Sequence, residues 1–126
     1  MPKHVPTLPG VEPGPYPFSQ VVEANGFVFL ASQVGDAPGS HGAVPGGIDA
    51  ETRAMLENVG RLLTAAGLTF ADVVKATVYL RDFGDFAAMN TVYREYFPTE
   101  PPTRATVGVT ALADDYRIEI EVLASR

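Results

Sequence analysis

The sequence predicts a single α+β domain, residues 1–126, in the order β-β-α-β-α-β-β, with two helices on one face of a mixed or mostly antiparallel sheet. Three observations carry that expectation. Two stretches repeat apolar residues at helical spacing: Met55, Val59, Leu62, Leu63 and Ala66 in one, Phe86, Met89, Tyr93, Tyr96 and Phe97 in the other. Residues 73–82 and 116–124 alternate apolar with polar side chains, the period of a half-buried strand. Asn25-Gly26 separates two short apolar runs, as in a two-residue hairpin turn. An amphipathic helix and a one-sided sheet each need cover for the apolar side, so they pack together.

In order along the chain, residues up to 17 read as loop, broken by six prolines. Residues 18–23 and 27–33 are the first two strands. Residues 35–47, rich in Gly and Pro, form a mobile surface loop with room for a short strand at Ala43-Val44. Their glycines do not have a phosphate-binding spacing. Asp49 caps the first helix, and Gly67 supplies the left-handed residue that stops it. In 73–82, Val74, Ala76, Val78 and Leu80 face one way, and Val73, Lys75, Thr77, Tyr79 and Arg81 the other. Asp85 caps the second helix, which carries Asn90 despite that residue's low helix preference. Pro98, Pro101 and Pro102 end it and set an extended entry to strand 103–109. Asp114-Asp115 marks the turn towards the last strand, 116–124.

The totals bound the function. Length and a hydrophobic share of 46% suit one globular domain with its own core. The chain has no cysteine, which removes disulfides, thiolate nucleophiles and cysteine zinc sites and fits a reducing, cytoplasmic setting. Two histidines, both in segments that read as loop, offer little metal chemistry, and no metal is expected. A net charge of −6 repels phosphate backbones, so no nucleic acid is expected as a partner. No apolar run is long enough to span a membrane, and residues 1–14 lack the apolar core of a secretory signal.

The last strand is the most informative. Ile118, Ile120 and Val122 point one way; Arg117, Glu119 and Glu121 point the other. If strand 103–109 is its neighbour, with Val109 opposite Tyr116, then Arg104, Thr106 and Gly108 share the polar face with both glutamates. Arginine presents a planar fork of donors that grips a carboxylate in two places, and a nearby glutamate can hold a water or move a proton. From the residues alone, a structural ion pair or a wet outer sheet face is the more ordinary reading, since charges on strands usually face solvent. Ser19, Ser32, Ser40 and Ser125 lack a histidine and aspartate arrangement for a triad; Ser40 precedes His41, but neighbours in a glycine-rich loop are not a positioned nucleophile and base.

From about residue 17 to the end, the chain resembles the RidA family, also called the YjgF or reactive-intermediate deaminase family. The resemblance rests on Pro17-Phe18-Ser19-Gln20, the run from Phe27 to Gly35, Leu56-Glu57-Asn58-Val59, Ala65-Ala66-Gly67-Leu68, the run from Asp72 to Leu80, Asp85 to Asn90, Pro102-Thr103-Arg104-Ala105 and Ile118-Glu119-Ile120-Glu121, all in order and similarly spaced. It implies a chorismate-mutase-like fold and a homotrimer whose sheets line a barrel, with clefts between subunits. It also implies hydrolysis of small 2-enamino or 2-imino carboxylic acids to keto acids and ammonia, without metal or organic cofactor. By resemblance, Arg104 binds the substrate carboxylate, Glu119 positions the attacking water, and Phe18, Asn90 and Thr106 contact substrate. Thr106 stands where cysteine is common, and Phe18 stands at a tyrosine position, with Tyr16 two residues away. Ala31 replaces a common serine and Ser32 a usual glycine. These departures bear on the substrate. The alternative is a non-catalytic trimeric protein that binds or senses small carboxylates; a ribonuclease or translation inhibitor, a label carried by some relatives, is opposed by the acidic charge.

Overall fold

A computed structural model describes residues 2–12 and 14–126. The strands are β1 (Val21–Ala24), β2 (Phe27–Leu30), β3 (Gln33–Val34), β4 (Val73–Leu80), β5 (Thr103–Gly108) and β6 (Ile118–Ser125); the helices are α1 (Gly47–Ala65) and α2 (Phe86–Tyr96). The six strands form one sheet in the order β1-β2-β6-β4-β5, with β3 also paired to β6. Only β4 and β5 run parallel; the other pairs are antiparallel. This is the expected α+β architecture, with one strand divided in two. The first strand starts later than expected, because Pro15, Pro17 and their neighbours bend the chain up to Phe18.

The hairpin forms as the sequence dictates. Asn25 and Gly26 both take positive φ, 53° and 80°, which matches a tight turn to the twist of the paired strands. The helix-covered side of the sheet is the core: Val28 and Leu30 from β2, Ala76, Val78 and Leu80 from β4, and Ile118, Ile120, Val122 and Ala124 from β6 are buried. Met55, Leu56, Val59, Leu62 and Leu63 of α1 and Met89, Val92 and Tyr93 of α2 close over it. Gly67, at φ 77°, stops α1 in the expected way: its N–H and that of Leu68 bond back to Thr64 and Leu63 carbonyls.

Other expectations are corrected. Asp49 does not cap α1; the helix begins at Gly47 and Asp49 sits in its first turn, favourable to the dipole. Asp85 makes no side-chain cap, while Asp82 accepts from Gly84 N at 2.9 Å in the 3-10 turn before α2. Val73 is buried and Val74 exposed, the reverse of strict alternation, because the β4 register to β6 slips between Val73 and Lys75. Ala43-Val44 is not a strand, although Val44 N does bond Gly35 O.

The loop 35–47 is pinned, not loose. Asn58 of α1 donates to the carbonyls of Val34 and Asp36 and to the Asp36 side chain. Tyr116 bonds Asp36 and receives Gly42 N–H, and Asp115 receives Ala43 N–H.

The largest correction concerns the last two strands. β5 and β6 are not neighbours, because β4 lies between them. The crossover through α2 lays β5 parallel on the outer side of β4, so β6 takes the interior place that its long apolar row fills.

Candidate active site

That strand order separates the two residues expected to act together. Arg104 pairs with Ala76 and Thr106 with Val78, so both share the helix-covered side. Glu119 pairs with Tyr79, and Glu121 with Thr77, on the opposite face. Ala105 and Val107, expected inward, lie on that open face and are exposed. Within one chain Arg104 and Glu119 therefore lie on opposite sides of the sheet and two strand spacings apart, about 10 Å across the ladder.

Arg104 is half-buried beneath α2. Its guanidinium lies 4.6 Å from the centroid of the Tyr93 ring and 5.7 Å from that of Phe86, and Nη1 is 3.9 Å from Met89 Sδ. Three α2 residues at helical spacing thus build an apolar cradle for one cation. Among the described residues no carboxylate pairs with it. Stacking engages the guanidinium's faces and leaves in-plane donors for a ligand. Among the described residues the buried Tyr93 hydroxyl has no hydrogen-bond partner; burial pushes its pKa up, while the nearby Arg104 charge opposes that shift. Asn90 follows Met89 on α2 and is half-buried, and Thr106 is half-buried two residues beyond Arg104. Gly108 is not beside the glutamates: a Cβ there would sit 3.6 Å from the Phe83 ring.

Glu119 has a partner that sequence reasoning left aside. Ser32 Oγ donates to Glu119 Oε2 at 2.5 Å. The reason lies in the ladder. Phe29 pairs with Leu123, and Gln33 with Ile120, so four steps on one side match three on the other. The extra residue is a bulge that divides the expected strand 27–33 and reverses which side chains face which way. Val34 pairs with Glu119, and Ser32, two residues earlier, shares that face. The sequence signal is the polar Ser32-Gln33 step inside an apolar run.

Phe18 and Tyr16 stack with ring centroids 5.7 Å apart, and both are more than half exposed. They line a recess of about 390 Å³ with Val5, Leu8 and Val11. Phe18 leads into β1, and Arg104 is on β5 at the other edge, about 19 Å away across four strand spacings. A larger recess, about 760 Å³, lies between the N-terminal segment and the end of α1, remote from both charged residues. The open sheet face carries Phe29, Val74 and Val107, each 41–47% exposed, beside Glu121, whose carboxylate receives Tyr79 OH at 2.9 Å and raises that tyrosine's pKa. Among the described residues no cluster of His, Asp or Glu could hold a metal, and no helix is long and apolar enough to cross a membrane.

Sequence comparison matches residues 12–126 to the family described as endoribonuclease L-PSP. A RutC family protein of Pyrococcus horikoshii is 46% identical over 108 residues, 86% of each chain. The 2-iminobutanoate/2-iminopropanoate deaminase of Capra hircus is 44% identical over 86% of this chain and 79% of its own. Among solved structures, Escherichia coli TdcF with bound serine superposes with TM-score 0.82 at 36% identity, covering 90% of this chain and 91% of that one.

Proposed function

Because this chain belongs to the endoribonuclease L-PSP family, also called YjgF/RidA, we propose that it hydrolyses small 2-imino carboxylic acids to 2-keto acids and ammonia at a site shared by two copies of the chain. The observation that carries this reading is Arg104: a half-buried guanidinium, stacked on aromatic rings and, among the described residues, paired with no carboxylate. Such a group suits a planar anionic ligand, which a substrate carboxylate supplies. Relatives more than 40% identical are named for deamination of 2-imino acids, and a solved relative carries serine, a small amino acid.

Arg104 and Glu119 of one chain cannot meet on one substrate from opposite faces of a sheet. A second copy resolves this, with Arg104 from one chain opposite Glu119 of the next. The apolar open face and the outer strand β5 support a homotrimer closed around the sheets, since exposed rows such as Phe29 and Val107 ordinarily find cover. Phe18, Asn90 and Thr106 would complete the cleft.

The chemistry follows. An enamine substrate first tautomerises to its imine. Arg104 then holds the carboxylate. A water held by Glu119 bonds through oxygen to the imine carbon while one of its protons passes to the glutamate, which delivers it to the nitrogen. In the resulting carbinolamine the hydroxyl proton passes by way of Glu119 to the nitrogen, the C–N bond breaks, and ammonia leaves with the keto acid and an ionised Glu119 behind. The direct test follows ammonia and keto acid from imines generated in situ by an amino acid oxidase. Wild type should accelerate hydrolysis, and Arg104→Ala should lose at least about 100-fold in kcat/KM, the cost of an unpaired carboxylate in a dry site. Ligand-induced stabilisation without product would indicate a binding protein instead, and RNA cleavage that disappears in Glu119→Ala would indicate a nuclease.

A further inference from the structure

We propose that Ser32 is the positioning residue of Glu119: its hydroxyl holds one carboxylate oxygen so that the other faces the attacking water. This inference rests on the imine-hydrolase reading and adds a residue to it. A serine hydroxyl has one proton to donate, and at 2.5 Å it donates to Glu119 Oε2 in a short, charge-assisted bond. Oε1 is then the oxygen with lone pairs free for water. Among the described residues no other side chain donates to Glu119; Tyr79, its pairing partner, gives its hydroxyl to Glu121.

The backbone around Ser32 is built to hold it there. Ala31 N–H donates to Gln20 O at 2.8 Å, and the Gln33 side chain donates to Ala31 O at 3.1 Å. One residue further, Val34 pairs with Glu119 itself, and Asn58 of α1 grips the Val34 carbonyl at 2.8 Å. The bulge is thus tied to the residue that precedes β1, to β6 and to α1. A glutamate with several rotatable bonds samples many orientations on an open sheet face. Anchoring one oxygen removes most of them before substrate arrives, which is the advantage a fixed base has over a free one.

The experiment measures kcat and KM for wild type, Ser32→Ala and Ser32→Thr, together with the side-chain carboxylate carbon signal of Glu119 by NMR at neutral pH. Ser32→Ala should lower kcat about tenfold and leave KM within about twofold, since the lost interaction serves the reacting water and not substrate binding. Its Glu119 signal should move. Ser32→Thr, which keeps the hydroxyl, should restore both kcat and signal. An unchanged kcat with an unmoved signal in Ser32→Ala, or a Ser32→Thr enzyme no better than Ser32→Ala, overturns the proposal. If wild type turns over no imine at all, the deaminase reading falls, and the signal alone decides: unmoved in Ser32→Ala overturns the anchoring of Glu119, and moved then restored upholds it.

Discussion

The surroundings of Arg104 suit the carboxylate-binding role proposed for it. Tyr93, Phe86 and Met89 surround its guanidinium without neutralising it. Lysine keeps the charge but loses the planar fork and the stacking. Arg104→Lys should therefore retain fold and charge yet lose about 10- to 100-fold in kcat/KM on a carboxylate imine, mostly through KM. Turnover equal to wild type would mean that charge alone is recognised. Glu51 is a different case. Its side chain is wholly buried, and its carboxylate takes Arg117 N–H at 2.6 Å and the Arg117 guanidinium at 3.1 Å. Replacing it with alanine strands that N–H and opens a cavity, and should cost about 2–4 kcal/mol in urea unfolding. The ion pair adds little to that figure because Arg117 is 41% exposed.

Helix α1 does more than cover the sheet, because its polar residues Glu51 and Asn58 fasten the segments around the proposed site. Gly35 passes against this helix so closely that a Cβ would collide with the Glu51 carbonyl and lie 2.5 Å from its Cγ. Neither backbone can yield without disturbing the loop, so Gly35→Ala should destabilise by about 3 kcal/mol, read by thermal or urea unfolding. The same loop responds to acid. The Ala43 N–H bond holds the Asp115 carboxyl below its ordinary value of 3.8. A value lower in the folded than in the unfolded chain means that the contribution is present above the ordinary value and disappears as pH falls through the folded one. Protection of the Ala43 amide, corrected for intrinsic exchange, should thus fall below about pH 3.8. In Asp115→Asn, protection should be weaker at neutral pH and insensitive to this range.

The whole molecule leaves one sheet face uncovered, with Phe29, Val74 and Val107 on it, and leaves Arg104 and Glu119 on opposite sides. Both facts fit the proposed closed assembly of identical chains. Val107→Glu should convert such an assembly to monomers in sedimentation, leave the circular dichroism of the fold unchanged, and remove imine turnover although it touches neither charged residue. A fully active monomer would show that one chain suffices and would refute the shared site.

Much of the fold is legible in the amino-acid sequence. Periodicity locates both helices and the long strands; Asn25-Gly26 and Gly67 mark their turns, because these depend on backbone rules acting within a few residues. The candidate residues Arg104 and Glu119 stand out as charges within alternating strands. Glu51 is also detectable in principle, four residues before Met55 on the buried stripe of α1. Which face each charge occupies is not legible in this way. Alternation gives relative parity within a strand, but whether two strands share a face depends on which strand lies between them and on any bulge, and these are long-range choices. Inserting β4 between β5 and β6 moves Arg104 away from Glu119, and one extra residue after Phe29 brings Ser32 to it.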